Sequence, residues 1–220
     1  MTALDVHVWT ISVTGAAPDD TALSAGERTR AARFLAEGDR RDYVAAHVLL
    51  RRALSSVDPA YAPHEWEFVV GEHGRPELPD RRIRFNLSHA RGVVACVIAG
   101  TDCGIDVERL EPERDLPRRR VLTADESAAL AALPAAEQPL RYARLWTLKE
   151  AYAKARGLGL DLPFDRLRVD LTDPPRITDS SAGAPAADWH CEEWLPTPAH
   201  VAALVAAGRG VRVVHHTGMP

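Results

Sequence analysis

The sequence predicts an α+β protein built from two similar halves, and two observations carry that expectation. A pattern of strand, helices and further strands runs from the N-terminus to about residue 101 and then starts again. The small-residue apolar run Val93-Val94-Ala95-Cys96-Val97-Ile98-Ala99, inside 90–100, is echoed by Val201-Ala202-Ala203-Leu204-Val205-Ala206, inside 199–208. The halves are placed at 1–101 and 102–220, with the catalytic groups where they meet.

In the first half, Leu4, Val6 and Val8 alternate with Asp5, His7 and Trp9, the period of a strand. Residues 24–36 and 39–54 read as helices, the second because Ala45, Val48, Leu49 and Arg52 recur at helical spacing. Trp66, Phe68 and Val70 alternate with polar neighbours and precede the turn signal Gly71-Glu72-His73-Gly74-Arg75-Pro76. Strands at 83–86 and 93–99 close the half. The second half opens with a strand at 104–107. Helices follow at 123–133, where Thr123 and Glu126 form a capping-box pattern, and at 140–156. Strands are predicted at 167–171, 189–194 and 200–206. Residues 172–187, rich in Pro, Ser, Ala and Asp, read as a surface loop, and the tail carrying His215 and His216 as a solvated terminus.

A chain of 220 residues with 46% hydrophobic and 26% charged residues can bury a sizeable core. Its net charge of −4 argues against a protein dominated by nucleic-acid binding, while leaving room for a local basic pocket. Cys96, Cys103 and Cys191 have neither the number nor the spacing of a disulfide framework or a zinc site, which fits a reducing compartment. No apolar run approaches the roughly 20 residues that span a bilayer, and the first residues lack a basic region followed by an apolar stretch. The expectation is a cytoplasmic protein with no membrane and no nucleic-acid partner.

The chemistry centres on Gly104-Ile105-Asp106-Val107-Glu108. Alternation along a strand puts Asp106 and Glu108 on one face and Ile105 and Val107 on the other. Two adjacent like charges are tolerable on a solvated strand face, or around a cation, most economically a hard divalent ion. Glu150 and Lys154 stand four residues apart and so share one face of the predicted helix. Phe85-Asn86-Leu87-Ser88-His89 places a hydroxyl and an imidazole at the expected end of a strand, where they can hold a phosphate. No G-x-S-x-G elbow surrounds Ser88, and there is no Walker or G-x-G-x-x-G sequence. Arg28, Arg30, Arg33, Arg40 and Arg41, with Arg75 in the glycine turn, form either a solvated basic face or a site for a ligand carrying several phosphates.

Together, F-N-L-S-H at 85–89, G-I-D-V-E at 104–108 and W-T-L-K-E-A-Y-A-K at 146–154 resemble the 4'-phosphopantetheinyl transferases of the Sfp type, in order and approximate spacing. The likeness extends to the early arginine-bearing helix, G-R-P at 74–76 and G-L-G-L at 157–160. The resemblance implies two α+β halves related by pseudo-two-fold symmetry, a monomer, and transfer of phosphopantetheine from coenzyme A to a serine of an apo acyl or peptidyl carrier protein. Polyketide, nonribosomal peptide and fatty acid synthase carriers are all candidate partners. It implies Asp106, Glu108 and Glu150 as ligands of Mg²⁺, with Mn²⁺ as an alternative, and Glu150 and Lys154 as catalytic. Glu150 would take the serine proton and Lys154 would balance charge on the leaving diphosphate. Coenzyme A would meet Arg30, Gly74, Arg75, Asn86, Ser88, His89 and Lys154, with Arg30 and His89 near its 3'-phosphate. Glu126 matches a family glutamate near the site, and the carrier would dock on an apolar patch at 121–133. Asp42 and Leu158 depart from the family pattern, in which basic residues are common at both places. Competing readings are a coenzyme A or carrier-binding module without catalysis, and another Mg²⁺-dependent phosphotransferase.

Overall fold

A computed structural model describes residues 5–15, 18–71, 74–80, 82–110, 118–180 and 188–220. The first predicted strand position, Leu4, part of the glycine turn (72–73) and part of the expected loop (181–187) lie outside the described residues. In chain order the elements are β1 (Val6–Ser12), α1 (Ala25–Ala31), α2 (Glu37–Val57), β2 (Val69–Val70), β3 (Pro76–Glu77), β4 (Arg84–Ala90) and β5 (Val93–Ala99). After these come β6 (Cys103–Arg109), α3 (Arg118–Val121), α4 (Ala124–Ala131), α5 (Gln138–Arg156), β7 (Leu167–Asp170), β8 (Arg176–Asp179), β9 (Trp189–Thr197), β10 (His200–Ala207) and β11 (Val213–His216).

The repeat read from the sequence is present in the strand order. One sheet contains β1-β5-β4 and the other β6-β10-β9, so each half places the last strand of its hairpin between the other two. The two apolar runs are these central strands, buried along almost their whole length. Apolar side chains from the facing sides of the sheets share one core: Val6, Val8, Val93, Ala95 and Val97 meet Ile105, Val107, Ala202 and Leu204. Helix α2 packs against the other side of the first sheet through Leu49, Leu50 and Leu54. Helix α5 covers the second through Leu148, Ala151, Tyr152 and Ala155. Both predicted long helices therefore form, as outer layers over buried strands.

The repeat also extends to a buried cation in each half. Ser24 caps α1 and Thr123 caps α4, each in a capping box with the glutamate three residues on, Glu27 and Glu126. Glu27 accepts Arg51 Nε at 2.8 Å, and Arg51 Nη1 donates to the carbonyls of Pro63 and Trp66. Glu126 accepts Lys149 Nζ at 2.6 Å, and the same ammonium donates to the carbonyls of Val121 and Phe164. All three ammonium protons are thus used inside the core, where an unpaired charge would be costly. Glu126 therefore has a structural role, as the buried partner of Lys149 and of the Val169 N–H.

Several expectations change. Ser88 and His89 lie within β4, not beyond its end. The strand expected at 66–70 shrinks to Val69–Val70, because a 3₁₀ turn at Pro63–Glu65 precedes Trp66. The expected loop contains β8, paired with β7. His215 and His216 lie in a strand: β11 runs parallel to β1, His7 and His216 face each other at 2.9 Å and His216 stacks on Trp9, while His215 is exposed. The apolar residues of 121–133 do not form an exposed docking patch, since Val121, Leu122 and Leu130 are buried against α5.

Two outcomes test this packing. Lys149→Met should lower unfolding free energy by about 3–5 kcal/mol in urea titrations, because it leaves the Glu126 carboxylate buried without its cation. Gly104→Ala should cost about 3 kcal/mol or more, since a Cβ there would lie 2.1 Å from the Ala151 carbonyl of α5.

Candidate active site

The site forms where β4, β6 and α5 meet. Strand β6 is an edge of its sheet, so one row of its backbone groups has no strand partner. Side chains of β4 supply the acceptors: Asn86 Oδ1 takes the Ile105 N–H at 3.1 Å and Ser88 Oγ takes the Val107 N–H at 3.3 Å. Lys154 Nζ donates to the Ile105 carbonyl at 3.3 Å. Arg75 closes the same seam, donating to the carbonyls of Lys154, Phe85 and Cys103 at 2.6, 2.8 and 3.3 Å. The carbonyl of Lys154 lies in the last turn of α5, where cations are favoured.

Gly104 lets α5 lie directly on β6, because the space a Cβ would need is filled by the helix backbone. That approach brings Lys154 to Asp106, with Nζ 2.7 Å from Oδ1. Ser88 Oγ donates to the same oxygen at 2.9 Å and accepts from Lys154 at 3.2 Å. Glu108 Oε1 accepts the indole N–H of Trp146 at 2.9 Å. Sequence analysis names Trp146 only as part of the 146–154 motif; its hold on Glu108 depends on the helix-to-strand contact.

Glu150 completes the group. Its carboxyl is pushed up to about 7, first by burial and then by the negative charges of Asp106 and Glu108, with Lys154 opposing. Asp106 is buried, and among the described residues its Oδ2 has no hydrogen-bond partner. No three His, Cys, Asp or Glu side chains close into a ready-made metal cluster among the described residues, and Lys154 and Trp146 each occupy one of the carboxylate oxygens. The donor set nevertheless fits a hard divalent cation. All three candidate ligands are carboxylates, one buried oxygen is free, and burial together with the charges of the other two acids raises the third.

Beside this cluster lies a cleft of about 1000 Å³, lined by Glu108 and Arg109 of β6, His89 of β4, Arg30 of α1 and Asp39, Asp42 and His47 of α2. Gly74 and Pro76 form part of its wall. Consecutive residues of β4 point to opposite faces, so Ser88 turns to Asp106 while His89 lines the cleft. Of the residues assigned to coenzyme A, then, Arg30, Gly74 and His89 line this cleft. Asn86, Ser88 and Arg75 stand at the seam, where their polar atoms bond the two halves together. Lys154 bonds Asp106 and belongs to the acid cluster. Asp42, an apparent departure from the family pattern, accepts the Gly92 N–H at 2.9 Å and fixes the turn between β4 and β5, where Arg91 and Gly92 both have positive φ. Leu158 packs on the α5 core just past the left-handed Gly157 that ends the helix.

A sequence profile described as the 4'-phosphopantetheinyl transferase superfamily matches residues 102–205. The 4'-phosphopantetheinyl transferase HetI of Nostoc sp. (strain PCC 7120) is 32% identical, over 94% of this chain and 89% of that protein. This chain belongs to the 4'-phosphopantetheinyl transferase superfamily. The 4'-phosphopantetheinyl transferase Sfp of Bacillus subtilis (strain 168) is 30% identical, over 71% of this chain and 70% of that relative. A solved holo-(acyl-carrier-protein) synthase from Bacillus anthracis, in complex with coenzyme A, is 23% identical with a TM-score of 0.42, covering 49% of this chain and 95% of that one. The motifs at 104–108 and 146–154 both fall inside the matched span.

The raised Glu150 carboxyl sets a pH dependence in metal-free protein. Its folded value near 7 exceeds the ordinary 4.5, so between these values the folded state holds a proton that the unfolded state has released. Stability therefore falls as pH rises through this window. Glu150→Gln should melt higher than the parent at pH 8 and lose that advantage below pH 4.5, measured by thermal unfolding in chelator.

Proposed function

We propose that this chain transfers the 4'-phosphopantetheine group of coenzyme A to a serine hydroxyl of an apo acyl or peptidyl carrier protein, releasing adenosine 3',5'-bisphosphate. Membership of the superfamily supports this reading. The observation that carries it in the structure is the cleft in which Glu108 of the acid cluster meets Arg30, His47 and His89. Coenzyme A carries a pyrophosphate at the reacting centre and a phosphomonoester on its ribose, anionic groups that cationic side chains suit.

The reaction forms a bond from the serine oxygen to the pantetheine-side phosphorus and breaks that phosphorus's bond to the bridging oxygen. The serine proton must leave, and the electron pair goes to the departing bisphosphate. Glu150, with a carboxyl poised near 7, is the group suited to accept the proton at neutral pH. Lys154 pairs with Asp106 and orients it, and adds positive charge where the leaving oxygen develops negative charge. Asp106, Glu108 and Glu150 would hold Mg²⁺, or Mn²⁺ in its place, and a bound ion would neutralise the non-bridging oxygens of the pyrophosphate. The protein acts as a monomer, the halves at 1–101 and 102–220 together supplying one site. Polyketide, nonribosomal peptide and fatty acid synthases would supply the carrier partners. In the described residues no helix is long and apolar enough to cross a membrane; we place the reaction in the cytoplasm.

The test is mass spectrometry of apo carriers incubated with the protein, coenzyme A and Mg²⁺. A gain of about 340 Da, the phosphopantetheine arm, should appear and be lost with EDTA or Asp106→Ala. No gain on several unrelated carriers, despite coenzyme A binding, would instead support a binding module.

A further inference from the structure

Past Ser88 the bonds across the seam reverse direction. Asn86 and Ser88 alternate along one face of β4 and offer side-chain acceptors to the Ile105 and Val107 amides. The next residue on that face is Ala90, whose methyl group can accept nothing. There the donor comes from the second half: His200 Nε2 lies 3.0 Å from the Ala90 carbonyl oxygen. His200 opens β10 opposite Arg109 of β6, at the point where the pairing of β10 with β9 shifts register.

The imidazole is buried, and its neighbours set its tautomer. A carbonyl can only accept, so Nε2 carries the proton and the neutral ring presents a lone pair at Nδ1. Thr197 Oγ1 lies 2.7 Å from Nδ1 and accepts the Ala199 N–H at 3.1 Å, which directs its own proton to the ring. Every donor in this chain meets an acceptor, and the last of them crosses from one half to the other. Burial holds the ring's pKa below the usual imidazole value, in the neutral form that the chain of bonds requires.

Both strands that His200 joins end in the wall of the cleft. Ala90 and Arg91 of the β4–β5 turn line it, and so do Glu108 and Arg109 of β6. Within its own half the turn is held by Asp42, which takes the Gly92 N–H, and by Val13, whose N–H donates to the Gly92 carbonyl. Across the halves β4 and β6 belong to different sheets, so no backbone ladder fixes the distance between their ends. We propose that His200 is a positioning residue for the transfer reaction: its bond to Ala90 sets the gap between the β4–β5 turn and the end of β6, and with it the width of the cleft that receives coenzyme A. This rests on coenzyme A being the co-substrate. The ring takes no part in the bonds made and broken; it acts by spacing the walls.

Two substitutions separate the ring's nitrogens. His200→Gln can place an amide N–H near the Nε2 position, within reach of the Ala90 carbonyl; His200→Asn places its amide near Nδ1, beside Thr197, and falls short of that carbonyl. In transfer assays at saturating carrier, His200→Asn should raise KM for coenzyme A about tenfold and leave kcat as in the parent, while His200→Gln should recover most of the affinity. Mn²⁺ binding followed by electron paramagnetic resonance should match the parent in both variants, because Asp106 is held by Lys154 and Ser88, and Glu108 by Trp146. An unchanged KM in folded His200→Asn, which a purely structural role requires, would overturn the proposal, and so would an equal loss in His200→Gln. Should His200→Asn not fold, nuclear magnetic resonance of the parent with isotope-labelled histidine keeps the test open. His200 should then show a slowly exchanging ring proton on Nε2; a proton on Nδ1, or a ring proton in rapid exchange with water, would contradict the bond to Ala90. No binding of coenzyme A by a parent that shows this ring proton would sink the functional reading, and the positioning role with it, whereas normal binding and transfer with an unchanged KM in His200→Asn would sink the His200 role alone.

Discussion

The structure depends on how the exposed edge of β6 is satisfied. An edge strand with unpaired amides inside a protein must find acceptors, and here they come from two side chains of the neighbouring half, Asn86 and Ser88. The arrangement does more than join the sheets. Because Ser88 Oγ takes the Val107 amide, its own proton is directed to Asp106, and the residue that closes the seam also orients a carboxylate. Lys154 links the same three places, bonding β6 backbone, Ser88 and Asp106. The acid cluster therefore belongs to neither half by itself.

Each half carries a stiffening pair of its own. The Glu27–Arg51 and Glu126–Lys149 pairs stand at corresponding places, each tying the start of a short helix to the long helix of its half and to nearby backbone carbonyls. The cations differ, arginine in one half and lysine in the other, but the design is the same: a capping-box glutamate shared between backbone N–H groups and a buried cation. Paired in this way, the charges satisfy groups that would otherwise be stranded in the core. Their conservation of geometry across the halves fits a repeated unit better than two unrelated ones. The last strand, β11, crosses back to pair with β1 and so locks the C-terminus to the first sheet.

Much of this was legible in the sequence because it is local. Strand alternation at 104–108 correctly separated Asp106 and Glu108 from Ile105 and Val107, and Thr123 with Glu126 did form a capping box. What escaped depended on distant contacts. Ser88 and His89 are neighbours in sequence but serve different sites, one turned to β6 and one to the cleft, and only the extent of β4 reveals it. The hold of Trp146 on Glu108 joins residues 38 positions apart, one on α5 and one on β6. Parallel pairing of β11 with β1 joins segments some two hundred residues apart, for which a two-histidine tail gives no local signal. The apolar residues at 121–133 were read as exposed because the periodicity of a short helix does not say what it faces.

The central claim is that the seam between halves, not the acids alone, assembles the metal-competent site. Equilibrium Mn²⁺ titration followed by electron paramagnetic resonance tests it most directly, comparing the parent with Asn86→Ala and Ser88→Ala variants shown to be folded by circular dichroism. Removing such supporting partners should weaken the site roughly tenfold or more, with Asp106→Ala abolishing it. Mn²⁺ affinity unchanged in both seam variants would contradict the account.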